Sequence, residues 1–135
     1  MEFTDAQREL LDGPYLAIIA TIGPSGRPHT APVWYVRDGD VLLMVTGRTS
    51  QKYRNLERDA RASIVIDKRD RPYHALMIDC TAEVTSNDVD AVRVRTSARY
   101  LSPARAAAYV ESRRGADAAV IRLIPDRVSE FVGET

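Results

Sequence analysis

The segment of the chain best suited to chemistry is residues 46–56, where an apolar strand ends in a turn containing Gly47 and passes directly into a predicted helix. The first N–H groups of a helix lack partners within it, and with the helix dipole they attract anions. Hydroxyl donors and positive charges are added by Thr49, Ser50, Arg48 and Lys52. The pattern predicts a phosphate site; the alternative is an ordinary N-capped surface helix with solvated basic residues.

A second candidate segment, residues 26–35, is a strand that contains Pro28 and Pro32. Proline has no N–H, so parts of this backbone cannot join a regular ladder, and other backbone groups are left to meet a planar ligand. The alternative is an edge strand that protects its exposed side. For Trp34 and Tyr35 the first interpretation is core or interface packing, and stacking on a ligand is the second.

No acid–base, nucleophile or metal constellation is visible in the chain, so no catalytic residue and no metal ligand is predicted. His29 and His74 lie far apart with no carboxylate at a recognisable spacing, and Cys80 fits a small buried residue of a strand. Tyr100 and Tyr109 are interpreted first as packing residues and second as the mouth of a substrate site.

Composition limits the classes of partner. The chain has 19 basic and 19 acidic residues and a formal net charge of zero, which argues against a nucleic-acid platform. Its apolar runs are far shorter than a membrane span, its N-terminus does not resemble a signal peptide, and its single cysteine favours the reducing cytoplasm. Lys52 and Lys68 are the only lysines among the 19 basic residues, an arginine bias typical of a GC-rich genome.

The elements that must position these residues form a single domain over residues 1–135, mainly β with α. The predicted order is a β-meander, a short helix, two strands, a helical excursion and a final strand bent at Pro125, which favours a closed or partly closed antiparallel barrel. Helices are predicted at Ala6–Leu11, Ser50–Asp59, 87–100 with Asn87 as N-cap, and Ser102–Arg113. Strands are predicted at Tyr15–Ile22, Pro28–Val36, Val41–Thr46, Ala62–Asp67, Tyr73–Thr85 and Ala118–Phe131.

Two of these strands, Tyr15–Ile22 and Val41–Val45, are apolar on both faces. A small barrel buries only one face of each strand, so something must cover the other. A second subunit is the economical candidate, and we therefore expect a homodimer.

Several short segments together resemble the pyridoxamine-phosphate-oxidase-like split-barrel superfamily, over about residues 15–131. They are GRPH at 26–29, PVWY at 32–35, SQK at 50–52, NL at 55–56, DARA at 59–62 and RLIPDRV at 122–128. Within the superfamily the chain is most similar to the flavin/deazaflavin oxidoreductases of actinobacteria. It departs from the group at Phe131, where tryptophan is frequent, and it lacks the arginine-rich signature of vitamin-B6 oxidases.

The resemblance implies a six-stranded split β-barrel, the FMN-binding split barrel, in a homodimer with its cofactor sites at the subunit interface. It implies that the cofactor phosphate is bound by Arg48, Thr49, Ser50, Gln51 and Lys52. It implies that the ring system lies along Pro32, Val33 and Trp34, with Val45, Thr46 and Gly47 beside it. Asn55 would brace the loop rather than touch the ligand.

The function implied is an oxidoreductase in which the cofactor carries the chemistry and the protein orients it. The expected activity is reduction of an electrophilic planar small molecule (a quinone, enone or tetrapyrrole) by the reduced deazaflavin coenzyme F420. FMN, in an oxidase or reductase, is the alternative cofactor, because both ligands present a tricyclic ring and a phosphate. A non-catalytic cofactor carrier and a pure dimerisation module remain open.

Overall fold

A computed structural model describes residues 1–133, which form seven strands and four helices in mixed order. The strands are β1 (Ala17–Ile22), β2 (Pro28–Val33), β3 (Val36–Asp38), β4 (Val41–Gly47), β5 (Arg61–Lys68), β6 (His74–Thr85) and β7 (Ala118–Val132). The helices are α1 (Asp5–Leu11), α2 (Gln51–Arg58), α3 (Val89–Tyr100) and α4 (Pro103–Ser112). In this part of the chain no helix is both long and apolar enough to cross a membrane.

All seven strands belong to one antiparallel sheet in the order β2-β1-β5-β6-β7-β4-β3. The expectation of six strands is wrong, because the predicted strand Pro28–Val36 divides at Trp34 and Tyr35 into β2 and β3. These two strands are the opposite edges of the sheet and do not pair with each other, so the sheet is not closed.

The short link between the edges nevertheless forces the sheet to curl. Val33 ends one edge strand and Val36 begins the other. Three peptide units span at most about 11 Å, so the two edges must come close together at this point. The curled sheet surrounds a core of alternate strand residues that include Ile19, Ile64 and Ile78, and α1 and α2 contribute Leu10, Leu11 and Leu56 to it.

The outer faces of the two apolar strands, β1 and β4, differ in whether the chain covers them. The outer face of β4 is covered by α3 of the same chain, where Leu43 packs with Val92 and Val120. The outer face of β1 has no such cover: Leu16, just before it, and Ile18 are 53 % and 40 % exposed. Within one chain the outer face of β1 is therefore left uncovered, since none of the described helices packs over it. For β4 the expectation that a second subunit covers the outer face is wrong, because α3 of the same chain covers it.

The helix starts follow the sequence with one exception. Thr4, Ser50 and Ser102 each accept a hydrogen bond from a backbone N–H of the helix they precede. The N-cap of α3, however, is Asp88 in a left-handed conformation (φ 62°), without a side-chain cap bond. The prediction of Asn87 as N-cap is wrong, because Asn87 lies one residue earlier and its N–H bonds to Thr85 Oγ1.

The bend predicted at Pro125 is an irregularity between β6 and β7. Asp79 pairs with Arg127 and Cys80 with Pro125, so Asp126 is skipped in the register. Proline has no N–H to donate there, which explains why the ladder is interrupted at this position.

Candidate functional site

The candidate site is a cavity of about 430 Å³ that lies where β2, β4, α2, α3 and α4 meet. Its volume is in the range of small-molecule sites. Nine residues line it: Leu16, Pro32, Val33, Trp34, Val45, Lys52, Arg93, Thr96 and Tyr109. The walls are mostly apolar, two of the lining residues are cations, and none of the described lining residues is acidic.

Aromatic rings form one wall of this cavity. Trp34 stacks on Tyr100 with ring centroids 5.5 Å apart and meets Tyr109 at 5.1 Å in a tilted arrangement. The Arg113 guanidinium lies 4.0 Å from the centroid of the Tyr109 ring. Trp34 and Tyr109 therefore both pack against other rings and line the cavity. Tyr35 is wholly buried instead, and its hydroxyl donates to Leu11 O at 2.6 Å.

The turn from β4 into α2 is fixed by hydroxyl groups. Thr46 Oγ1 and Ser50 Oγ are 2.7 Å apart, and Ser50 Oγ also accepts the N–H of Tyr53. Both hydroxyls are thus used to hold the turn and cap the helix. In contrast, the backbone N–H groups of Gln51 and Lys52 have no hydrogen-bond partner among the described residues. These N–H groups, at the positive end of the helix, are suited to an anion.

Lys52 is the charged side chain that joins this helix start to the cavity. It is half-buried, and burial lowers the pKa of its ammonium group. Burial costs a charged group solvation energy, which an anion bound beside it would offset. No carboxylate of the described residues forms an ion pair with Lys52, so its charge is available to a ligand.

Arg48 is held by other parts of the chain. Its guanidinium donates to the Tyr53 hydroxyl at 2.6 Å and to Ser86 Oγ at 2.5 Å, and its Nε lies 3.1 Å from an oxygen of Asp117. It does not line the cavity. To reach a ligand there, Arg48 would have to release these partners.

The structure brings five of the eleven predicted site residues together in the cavity wall: Pro32, Val33, Trp34, Val45 and Lys52. The other six, Thr46 to Gln51, lie in the turn beside it. Gly47 and Thr49 are exposed, and an added Cβ at Gly47 would meet no atom within 4 Å. The Gln51 side chain donates to Asn55 Oδ1 at 2.7 Å, and Asn55 in turn donates to Thr21 Oγ1 at 3.0 Å. Fully buried, Asn55 braces the helix start and does not touch the cavity.

Four lining residues were not predicted as site residues from the sequence: Leu16, Arg93, Thr96 and Tyr109. Arg93 and Thr96 lie three apart on α3, so they occupy one helix face, and both are buried. The sequence carried no signal for these two residues, because arginine and threonine on a helix are usually solvated and only the packing of α3 in the folded chain buries them.

Two other depressions differ from this cavity in their lining. A cavity of about 570 Å³ between α3 and α4 has a mainly apolar lining and contains none of the predicted site residues. A groove of about 500 Å³ runs along the outer face of β1 and shares Leu16 and Pro32 with the candidate site. The candidate site is therefore continuous with the exposed apolar face of the sheet.

The residues present fit a phosphorylated planar cofactor. Unpartnered N–H groups and a half-buried ammonium group lie at one side, where a phosphate needs them. Apolar and aromatic side chains form the remaining wall, where a ring system needs them. No described side chain in the wall is a nucleophile paired with a base, so the protein alone offers no covalent chemistry here.

Comparison with solved structures supports the same fold. A conserved hypothetical protein from Mycobacterium tuberculosis is 23% identical, with a TM-score of 0.82 over 96% of this chain and 85% of the other. An F420 reductase is 26% identical, with a TM-score of 0.76 over 94% of this chain and 98% of the other. HutZ, the heme storage protein from Vibrio cholerae, is 18% identical, with a TM-score of 0.73 over 98% and 95%.

The family model for pyridoxamine 5'-phosphate oxidase matches residues 3–131, which include every strand that builds the cavity. Together with the sheet topology and the similar solved structures, this match shows that the chain belongs to the pyridoxamine 5'-phosphate oxidase family, the split-barrel superfamily indicated by the sequence.

Proposed function

We propose that this protein is a reductase that uses reduced coenzyme F420 to transfer a hydride to an electrophilic planar acceptor. The observation that carries the proposal is the cavity itself, which joins Lys52 at the start of α2 to a wall of Pro32 and Trp34. The similarity to an F420 reductase supports the choice of cofactor. We propose the cytoplasm as its compartment.

The roles of the residues follow from their positions. Lys52 and the N–H groups of Gln51 and Lys52 would hold the phosphate. Pro32, Val33, Trp34 and Val45 would hold the ring system and exclude water from it. When bound, the deazaflavin supplies the hydride. The protein's contribution is orientation, which explains why the cavity wall lacks an acid–base pair.

We further propose that the protein acts as a homodimer with the site at the subunit interface. The exposed apolar side chains Leu16, Ile18, Val65 and Met77 lie on the outer face of β1, β5 and β6 or just before it. Ile18 pairs with Val65 in register, and Val65 with Met77, so these side chains form a continuous row. A second copy packed on this row would also cover the side of the cavity formed by Leu16 and Pro32.

FMN is the second candidate cofactor, because the phosphate-binding groups described above do not distinguish a flavin phosphate from a deazaflavin phosphate. A carrier that binds either cofactor without turnover would use the same groups. The two possibilities differ in what they predict for catalysis and for the selectivity of binding.

The experiment is to follow oxidation of reduced F420 with menadione as acceptor, with and without the protein, and with Lys52→Met and Lys68→Met variants. We expect the wild-type protein and Lys68→Met to accelerate the reaction and Lys52→Met to lose most of the acceleration through weaker cofactor binding. Acceleration with reduced FMN alone would favour the flavin candidate. If the protein binds F420 but does not speed up its oxidation with any of several planar acceptors, the reductase proposal is contradicted.

A further inference from the structure

Arg93 is the most deeply buried charged side chain in the described part of the molecule, with 5 % of its surface exposed. It lies on α3 and lines the candidate cavity together with Thr96 and Tyr109. A buried guanidinium is costly unless it is paired, so its partners need to be accounted for.

The protein satisfies only one nitrogen of this guanidinium. Arg93 Nη1 is 3.5 Å from Arg113 O and 3.6 Å from a carboxylate oxygen of Asp90. Both contacts are long, and the Asp90 side chain is 71% exposed, so water screens its charge. Among the described residues, Nε and Nη2 of Arg93 have no hydrogen-bond partner.

These two nitrogens are not fully enclosed by the protein. In residues 1–133 the one side-chain nitrogen or oxygen that is both fully enclosed and without a partner is His29 Nδ1, so Nε and Nη2 of Arg93, which lack partners, must be exposed to solvent. Arg93 is otherwise buried, and the cavity is the open space that it lines.

The edge formed by Nε and Nη2 is the edge with which arginine grips a carboxylate through both oxygens. Two other arginines of this chain use it in that way. Arg37 holds Asp12 with distances of 2.9 and 2.7 Å, and Arg61 holds Asp59 with distances of 3.1 and 2.8 Å. At Arg93 the same edge has no carboxylate, and no acidic residue of the described chain lines the cavity to supply one.

We infer that Arg93 is a specificity-determining residue that binds a carboxylate group of the acceptor through Nε and Nη2. The inference rests on the proposed function in one respect, that the acceptor enters this cavity. The preferred substrate is then an aromatic or conjugated carboxylic acid, with its planar body against Tyr109 and its carboxylate on Arg93. Lys52, at the start of α2, is left for the cofactor phosphate.

The first test needs no variant. Trp34 is the only tryptophan of the chain and lies in the cavity wall, so its fluorescence reports ligand entry. The full-length protein is titrated with anthraquinone-2-carboxylate and with the neutral isostere anthraquinone-2-carboxamide. We expect the carboxylate to bind about tenfold to a hundredfold more tightly, the usual effect of a charge-assisted pair in a partly buried site. Equal affinities would overturn the inference.

Variants then identify the residue responsible. Arg93→Gln should bring the two affinities within about threefold by weakening only the carboxylate, and Arg93→Lys should retain part of the difference because it keeps the charge and loses the two-point contact. The control is Arg105→Gln, which removes the same charge from an exposed position on α4. Circular dichroism checks that Arg93→Gln folds.

The Lys52→Met variant tests which of the two cations, Arg93 or Lys52, binds the carboxylate. We expect it to keep the preference for the carboxylate; if it removes the preference while Arg93→Gln keeps it, Lys52 is the carboxylate site and the inference is wrong. Failure of the proposed function is seen separately, as absence of binding or turnover of F420 and FMN. A preference dependent on Arg93 would survive that failure, because the quinone titration contains no cofactor.

Discussion

Lys52 shows how burial prepares one residue for a ligand. The ammonium group is half-buried and its pKa is lowered by desolvation, so the protein carries a destabilised charge facing the cavity. The other lysine, Lys68, lies at a different depression, beside Tyr73 and His74. The pair therefore provides a site variant and a matched control.

The lowered pKa makes a prediction about pH. Lysine is charged below its pKa, and a phosphate monoester is a dianion above about pH 6. Affinity for FMN should therefore fall as pH rises, and the fall should begin below the ordinary lysine pKa of about 10.4. Lys52→Arg should keep its affinity between about pH 7 and 9.5, because guanidinium stays charged. Dissociation constants measured across this range check the prediction, and an identical alkaline loss in both proteins would contradict it.

Arg93 shows what residue types alone do not reveal. In the sequence it is one of many arginines in a helix with mixed polar and apolar positions, and arginines in helices are mostly solvated. Its burial depends on α4 and on the outer face of β4, which pack around α3 only in the folded molecule. Lys52 could be predicted because its signal is local: a strand end, a turn and a helix start.

At the scale of elements, the turn between β4 and α2 is held by contacts within the chain, and Gly47 contributes to them only through its backbone, whose carbonyl oxygen accepts the N–H of Ser50 at 3.1 Å. A Cβ added at Gly47 would meet no protein atom within 4 Å. We expect Gly47→Ala to change the free energy of unfolding by less than about 0.5 kcal/mol. If the cofactor lies against this turn, the same change should weaken binding of F420 or FMN at least about fivefold, a loss typical of one steric conflict. Unchanged affinity would show that the ligand does not approach Gly47.

Arg99 joins three elements, so its removal should lower the free energy of unfolding. Its guanidinium donates to the carbonyl oxygens of Leu11, Gly13 and Tyr35 and lies 4.5 Å from the centroid of the Tyr35 ring. It thereby ties α3 to the end of α1 and to the link between the edge strands.

Arg99→Met would leave these carbonyl groups without their donor, and we expect a loss of about 2–3 kcal/mol in the free energy of unfolding. Arg105→Met, at an exposed position, should cost less than about 0.5 kcal/mol. Urea denaturation of both variants makes the comparison, and equal midpoints would refute the role given to Arg99.

The elements themselves were largely predictable, because their signals are local. Ser50 and Ser102 lie just before α2 and α4, and alternation along β5 marks its inner face. The division of the second strand was not predictable, because a break at Trp34 and Tyr35 becomes visible only when the two halves find different partners, β1 and β4. Strand pairing is non-local, and no spacing in the sequence encodes it.

At the scale of the whole molecule, the exposed row on β1, β5 and β6 is the feature that a single chain leaves unexplained. From the sequence a second subunit is expected to cover the apolar outer faces of both β1 and β4. For β4 the cover is α3. For β1 a second copy remains the proposal.

The exposed row of Leu16, Ile18, Val65 and Met77 allows the proposed homodimer to be tested. Ile18→Glu would place a charge in the middle of an apolar interface, so we expect it to convert a dimer to a monomer and to weaken cofactor binding with it. Ala104→Glu, at an exposed position in the first turn of α4 and away from the row, serves as a control of equal charge. Analytical ultracentrifugation at micromolar concentration measures both. A wild-type monomer, or an Ile18→Glu dimer with unchanged association, would contradict the proposed interface.

The most direct test of the central claim is a titration of the wild-type protein, Lys52→Met and Lys68→Met with F420 and, separately, with FMN, followed by fluorescence. We expect the wild type and Lys68→Met to bind F420 more tightly than FMN. Lys52→Met should lose about tenfold or more in affinity for both, as expected when a charge-assisted contact to phosphate is removed. Absence of binding of either cofactor to the wild type, or equal affinities in Lys52→Met and Lys68→Met, would contradict the claim that this cavity is a phosphate-anchored cofactor site.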